Sequence, residues 1–157
     1  MTKAQIIAQI CEKFHGEVEE VLAERPEATV KVRPEAIVKV CRFVKETPEL
    51  SFSQLLFLTA MDYPDRTEMV YYLASMKHGH KAVLRVILPR ESPRVSSVTP
   101  VWAGADWHER EAADFFGITF EGHPDPRRIL LPEDWSWSPP LRKDFECPEM
   151  VRKPEIK

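Results

Sequence analysis

The chain has 157 residues, enough for one domain or one domain with a tail, and 43% hydrophobic with 30% charged residues is the balance of a chain with a sizeable core. A formal net charge of -3 argues against a nucleic-acid binder held by phosphate contacts, and no apolar run approaches the roughly 20 residues of a membrane span. The cysteines Cys11, Cys41 and Cys147 form no Cys-x-x-Cys pair, which argues against a zinc or iron–sulfur cluster of its own and suits a reducing compartment. The opening residues Met1 to Gln5 lack the pattern of a signal peptide, so none is expected.

The first predicted element is a helix. Thr2 and Gln5 have capping-box spacing, and Ile6, Ile7, Ile10, Cys11 and Phe14 form one apolar stripe. Gly16, after His15, is the expected left-handed stop. Val18 to Leu22 and Thr29 to Arg33 read as a hairpin turning at Arg25-Pro26-Glu27. Pro34 opens a second helix with Ile37, Val40, Cys41 and Val44 on its buried face, ended by Thr47-Pro48.

A helical turn is expected near Ser51–Gln54, then a buried strand to Tyr63, because Leu55 to Met61 is almost continuously apolar. Asp62-Tyr63-Pro64-Asp65 is a turn. Met69–Met76 and Ala82–Leu88 form an antiparallel hairpin around Lys77-His78-Gly79-His80, whose histidines read as solvated loop residues. Asp106 and Glu109 have the spacing of a second capping box, starting a helix that runs to Phe116 and stops at Gly117.

After Phe120 neither periodicity is present. Seven of the 14 prolines follow position 120, and they forbid long helices and central strands. Trp135, Trp137 and Phe145 are unusual for a disordered tail, so extended chain docked on a surface is expected. The sequence therefore predicts an α+β fold, an antiparallel or mixed sheet packed with helices over residues 1–120, followed by an extended Pro/Trp-rich partner-binding arm over 121–157.

Three segments invite chemistry. Glu109, Glu111, Asp114, His108 and His123 are acid–base or metal-ligand types, but neighbouring carboxylates are common on solvated faces, and His-x-x-Glu is a weak motif. Arg110 and Asp114, four apart, are expected to pair along the helix. Arg127-Arg128 suits an anion, or an ion pair with Asp125, Glu133 or Asp134. No Gly-x-Gly-x-x-Gly, P-loop or Gly-x-Ser-x-Gly is present. The remaining concentration of Trp and Arg is the composition of protein–protein hot spots.

Several runs carry a resemblance. Glu109-Arg110-Glu111-Ala112-Ala113-Asp114-Phe115-Phe116-Gly117-Ile118, Phe120 to Asp125, Arg127-Arg128-Ile129-Leu130, Pro132-Glu133-Asp134-Trp135 and Pro140-Leu141-Arg142-Lys143-Asp144-Phe145 are similar to the signature of the 30 kDa, or C-type, subunit of complex I-type NADH:quinone oxidoreductase. Leu58 to Pro64 and Ser97 to Trp102 resemble it too. The resemblance implies a non-catalytic subunit without catalytic, cofactor or metal residues of its own, with iron–sulfur clusters, FMN and quinone on other subunits. It implies docking on the 49 kDa-type, PSST-type and TYKY-type subunits, at the cytoplasmic face of the inner membrane. Glu109, Arg110, Glu111, Asp114, Gly122, His123, Pro124, Arg127, Arg128, Trp135, Leu141, Arg142, Lys143, Asp144 and Phe145 would then serve the subunit interface. Trp137 stands near a glycine common in the family, which puts the local turn in question. The same module in membrane-bound hydrogenases, formate hydrogenlyase and coenzyme F420-dependent dehydrogenase is the alternative; a stand-alone carboxylate or metal enzyme is another.

Overall fold

The computed structural model describes residues 1–20 and 26–148. Helix α1 (Lys3–Lys13) starts on the expected capping box, with the Thr2 side chain accepting from the Gln5 amide and the Gln5 side chain from that of Thr2. It ends at Phe14, two residues before Gly16, which supplies the left-handed turn (φ 78°) into strand β1 (Val18–Glu20). Strand β1 pairs antiparallel with β2 (Ala28–Val32), so the hairpin forms as expected; its expected end at Val21-Leu22 and turn residue Arg25 lie outside the described residues. Pro34 begins a single 3-10 turn, Pro34–Ala36, which leads into helix α2 (Ile37–Glu46). Pro fixes its own φ and has no N–H to lose at a first turn.

Strands β3 (Gln54–Asp62), β4 (Arg66–Ala74) and β5 (Lys81–Pro89) form an antiparallel meander. Strand β2 pairs parallel with β5, giving one five-stranded mixed sheet of order β1-β2-β5-β4-β3. Ala82, Leu84, Val86 and Leu88 alternate inward on β5 and meet Ile6 and Ile10 of α1 and Ile37, Val40, Cys41 and Val44 of α2 in one core. Burying each large aliphatic side chain is worth about 1.5–3 kcal/mol, so this core holds the body together.

Two expectations fail near residue 50. Ser51–Gln54 has no helical turn; Ser51 has a positive φ of 47°, a small polar residue at a kink. Strand β3 is a sheet edge rather than a buried strand, with Leu56 45% and Phe57 40% exposed. A continuous apolar run looks buried by count, but an edge position covers it unevenly. The histidines of the β4–β5 turn are also tied down: His78 and His80 pair through Nε2 with the carbonyls of Pro48 and Leu50, and His80 packs on Phe52.

Strand β6 (Arg94–Ser96), helix α3 (Ala105–Phe116) and strand β7 (Thr119–Glu121) complete the body, β6 and β7 pairing parallel. These two three-residue strands are too short to show a period. Beyond β7 the described chain, 122–148, contains no helix or strand and no fully buried residue.

Candidate docking site on helix α3 and the C-terminal arm

Helix α3 does not start on the expected capping box. Gly104 is its N-cap, without a side-chain bond, and Asp106 lies inside the first turn. Glu109 instead turns inward, wholly buried, and accepts the Val98 amide at 2.7 Å, holding the preceding loop. The helix stops at Gly117, φ 73°, as glycine's freedom at positive φ allows.

Residue by residue, the arm is fastened to this helix by polar contacts. Gly122 (φ 77°) turns the chain, with exposed Pro124 next to the inward ring of His123. Asp125 takes a fork of two bonds from Arg127 at 2.7 and 2.8 Å. Arg127 and the neighbouring Arg110 hold the Asp125 carboxyl well below its ordinary range. Arg110 reaches the carbonyls of Arg127 and Arg128 at 2.8 and 3.1 Å.

Asp114 Oδ2 accepts three successive arm amides, Ile129, Leu130 and Leu131, at 3.0, 2.8 and 3.1 Å. Burial pushes this carboxyl up, yet those amides, with Arg128 nearby, hold it below the ordinary range. The expected Arg110–Asp114 pair is thus replaced by two separate holds on the arm. The arm's backbone offers more partners to each, although Arg110 keeps a longer i,i+4 contact with Asp106 at 3.9 Å.

Further along, Arg128 donates to the carbonyls of Pro132 and Trp135. The indole of Trp135 donates to the Ser138 carbonyl and stacks on Phe145 with centroids 6.2 Å apart. Pro139 rests against Gly117, and the Leu141 amide donates to the Phe115 carbonyl at 3.0 Å. The arm then crosses to the far end of β3. There Asp62, buried, accepts the Lys143 amide at 2.8 Å and a fork from Arg90 at 3.1 and 3.0 Å. Arg90 also reaches Asp144, and Arg142 lies 3.4 Å from the same carboxylate.

Helix α3 and the arm leave Trp107, Leu130, Trp137 and Leu141 as large exposed apolar side chains. Tryptophan is among the residue types enriched at interface hot spots. Glu111 is exposed and Glu109 buried, and Asp114 is spent on amides, so the acid–base set does not converge on one point. Among the described residues no three His, Cys, Asp or Glu side chains are grouped as metal ligands, and no helix is long and apolar enough to cross a membrane.

Sequence reasoning singled out most of the arm residues but missed Asp62, Arg90 and Pro139. Asp62 looked like an ordinary turn residue, and nothing local announces a partner 81 positions away.

The described residues thus form an α+β body with a C-terminal arm fastened to it by Asp114, Arg110 and Asp62. The family model of the 30 kDa subunit of respiratory-chain NADH dehydrogenase matches residues 30–151, and the chain belongs to this family. It is 47% identical over 123 residues to the C-type subunit of NADH-quinone oxidoreductase from Roseiflexus castenholzii, covering 76% of this chain and 70% of that one. It is 39% identical over 137 residues to the same subunit from Mycobacterium ulcerans, covering 85% of this chain and 57% of that longer relative. Among solved structures, a chain of an archaeal membrane-bound sulfane sulfur reductase complex matches with a TM-score of 0.69 at 28% identity, over 91% of this chain and 85% of that one. A trypsin-resistant fragment of Nqo5 matches at 0.63 and 26% identity, over 79% and 99%.

Proposed function

We propose that this chain is the non-catalytic, arm-bearing subunit of a complex I-type NADH:quinone oxidoreductase, peripheral to the membrane on its cytoplasmic face. The arm and the exposed side of α3 dock on the 49 kDa-type subunit, with the PSST-type and TYKY-type subunits next to it. Iron–sulfur clusters, FMN and quinone belong to those and other partners. The observation that carries this reading is the double tether: Asp114 and Asp62 hold the arm's backbone, while Leu130, Trp137 and Leu141 remain outward. An arm shaped before encounter loses less conformational entropy on binding.

Arg128→Ala and Arg142→Ala test it. Recovery of the complex from the native host should fall, while the melting of the isolated chain changes little. A normal complex yield in both variants refutes arm docking, and an unaltered complex in cells lacking the chain refutes the subunit role.

A second reading, a subunit of a related membrane-bound complex with a different electron donor, is favoured by the match to the sulfane sulfur reductase chain. Co-purification separates the two: an NADH-oxidising flavin subunit in the pulled-down complex supports the first, a hydrogenase-like complex without one the second.

A further inference from the structure

At the root of the arm, the His123 ring is packed against α3 with 2% of its side chain exposed, between Asp106 and the wholly buried Glu109. Its Nδ1 accepts the backbone N–H of Asp125 at 3.0 Å. That lone pair is therefore in use, and the ring hydrogen sits on Nε2. Nε2 faces three acceptors: the Asp106 carbonyl at 3.2 Å, Asp106 Oδ1 at 3.5 Å and Glu109 Oε2 at 3.8 Å. One N–H serves the nearest. Asp106 Oδ1 and Glu109 Oε2 are buried without a hydrogen-bond partner.

A ring held in its neutral tautomer offers no charge to balance two carboxylates. The cation nearby, Arg110, lies 3.9 Å from Asp106 Oδ1, on the Asp106 side. Glu109 otherwise meets the Ser97 hydroxyl and the Val98 amide. Deeper in the core it faces the Cys41 thiol of α2 and the Tyr71 phenol of β4, both buried and both pushed up by that burial, hence uncharged. None of these offsets a second negative charge, and an unbalanced buried carboxylate is neutralised by a proton rather than left ionised.

We propose that Glu109 is a proton-binding site, holding a proton on Oε2 that it shares with Asp106, and that this proton keeps the root of the arm latched to helix α3. The proton makes Oε2 a donor and gives Asp106 Oδ1 something to accept; residues three apart on a helix are neighbours. Burial raises the Glu109 carboxyl above its ordinary value and the Asp106 charge adds to the rise, against the pull of the Ser97 and Val98 hydrogen bonds and of any positive charge on His123. When the proton leaves, two anions face one Nε2–H. With no proton left between them, the two carboxylates repel each other across that single N–H, and the strain loosens the turn at Gly122–Asp125. A cavity of about 210 Å³, lined by Glu109, Arg110, Ala113, Ile118, Phe120 and His123 among others, adjoins the ring. Because the folded-state proton affinity is raised, the stabilisation is full below the ordinary value of 4.5 and is lost as pH rises through the folded value. The latch is built within the chain, so it stands or falls independently of which partner the arm meets.

The experiment is a carboxyl-carbon NMR titration of the full chain with amide exchange. Glu109 is expected to titrate at higher pH than exposed Glu121 and Glu133, and Asp106→Asn to shift it down, since the carboxamide brings a donor and no charge. Protection of the Asp125 amide should fall as Glu109 titrates, and stay level in Glu109→Gln, which mimics the acid. Should Glu109→Gln not fold, the wild-type titration decides alone. Glu109 titrating with or below the exposed glutamates overturns the proposal. So does a doubly protonated His123 with the Asp125 amide still protected.

Discussion

Pro139 of the arm packs so closely on Gly117 that a Cβ placed there would lie 2.7 Å from Pro139 Cγ. Gly117 therefore serves twice, as the left-handed stop of α3 and as the floor on which the arm rests. The neighbouring Leu141 amide, bonded to Phe115, fixes the same contact from the other side.

Gly117→Ala should accordingly lower stability by more than the ordinary cost of a left-handed alanine, about 1–2 kcal/mol, and loosen the arm. Adding Pro139→Ala removes the offending Cγ and should restore part of the loss, leaving the backbone cost. Urea unfolding of the two single variants and the double variant measures this non-additivity. Strictly additive effects would show that the contact does not couple them.

Asp114→Asn should free the arm's first tether. The neutral amide still has one oxygen, but no charge to hold three N–H donors, and a cost of about 1–3 kcal/mol follows. Hydrogen exchange locates it: Ile129, Leu130 and Leu131 should lose protection while β4 and β5 keep theirs. Uniform loss across the sheet would mean that Asp114 supports the body instead.

The second tether is a buried ion pair. The Asp62 side chain is 2% exposed and that of Arg90 19%. Arg90→Ala removes the fork and leaves this carboxylate only the Lys143 amide and the more distant Arg142 charge, so stability should fall, as it does when one partner of a buried pair is removed. The double variant Asp62→Asn with Arg90→Ala should be more stable than Arg90→Ala alone. Thermal melts of the two variants beside the wild type decide.

Acid should release the arm. Burial pushes Asp62 up, but the Arg90 fork and the Lys143 amide outweigh it, so its carboxyl, like that of Asp114, is held below the ordinary 3.8. A depressed group stabilises the fold above its unfolded value, and that contribution is lost as pH falls through the folded one. Tryptophan fluorescence, with Trp135 and Trp137 in the arm, should therefore change as pH drops below 3.8. Asp62→Asn should lessen the proton uptake. This sign is opposite to that of Glu109, so acid loosens the two tethers while alkali loosens the root.

Trp137→Ala should weaken recovery of the complex severalfold without altering the melt of the isolated chain, since the side chain is 41% exposed and truncation of an interface tryptophan commonly costs more than about 1 kcal/mol. Titrating the purified partner onto wild type and variant checks it.

Much of the body was legible because its signals are local. The Thr2–Gln5 capping box, the apolar stripe of α2 and the strict alternation of Ala82 to Leu88 each depend on neighbours a few residues apart. The misreadings share one cause. Asp106 and Glu109 have capping-box spacing, but Glu109 is drawn inward by the Val98 amide. Arg110 and Asp114 have pairing spacing, but the arm's backbone claims both. Leu55 to Met61 has the composition of a buried strand, but sheet order puts it at an edge. In the first two cases a distant segment supplied the stronger partner, and in the third the strand order left one flank of β3 unpaired, so the cause lies each time outside the local sequence.

The sequence by itself therefore determined that there is a mixed α+β body, that helix α3 ends at Gly117, and that a proline-rich arm too poor in periodicity to fold alone must lie on something. Only the tertiary structure decided what it lies on. Asp62 and Lys143, 81 positions apart, meet because the sheet brings the end of β3 to the place where the arm finishes. Hydrogen-bond partners of that kind are chosen by where the fold places backbone amides, and spacing along the chain carries no record of it.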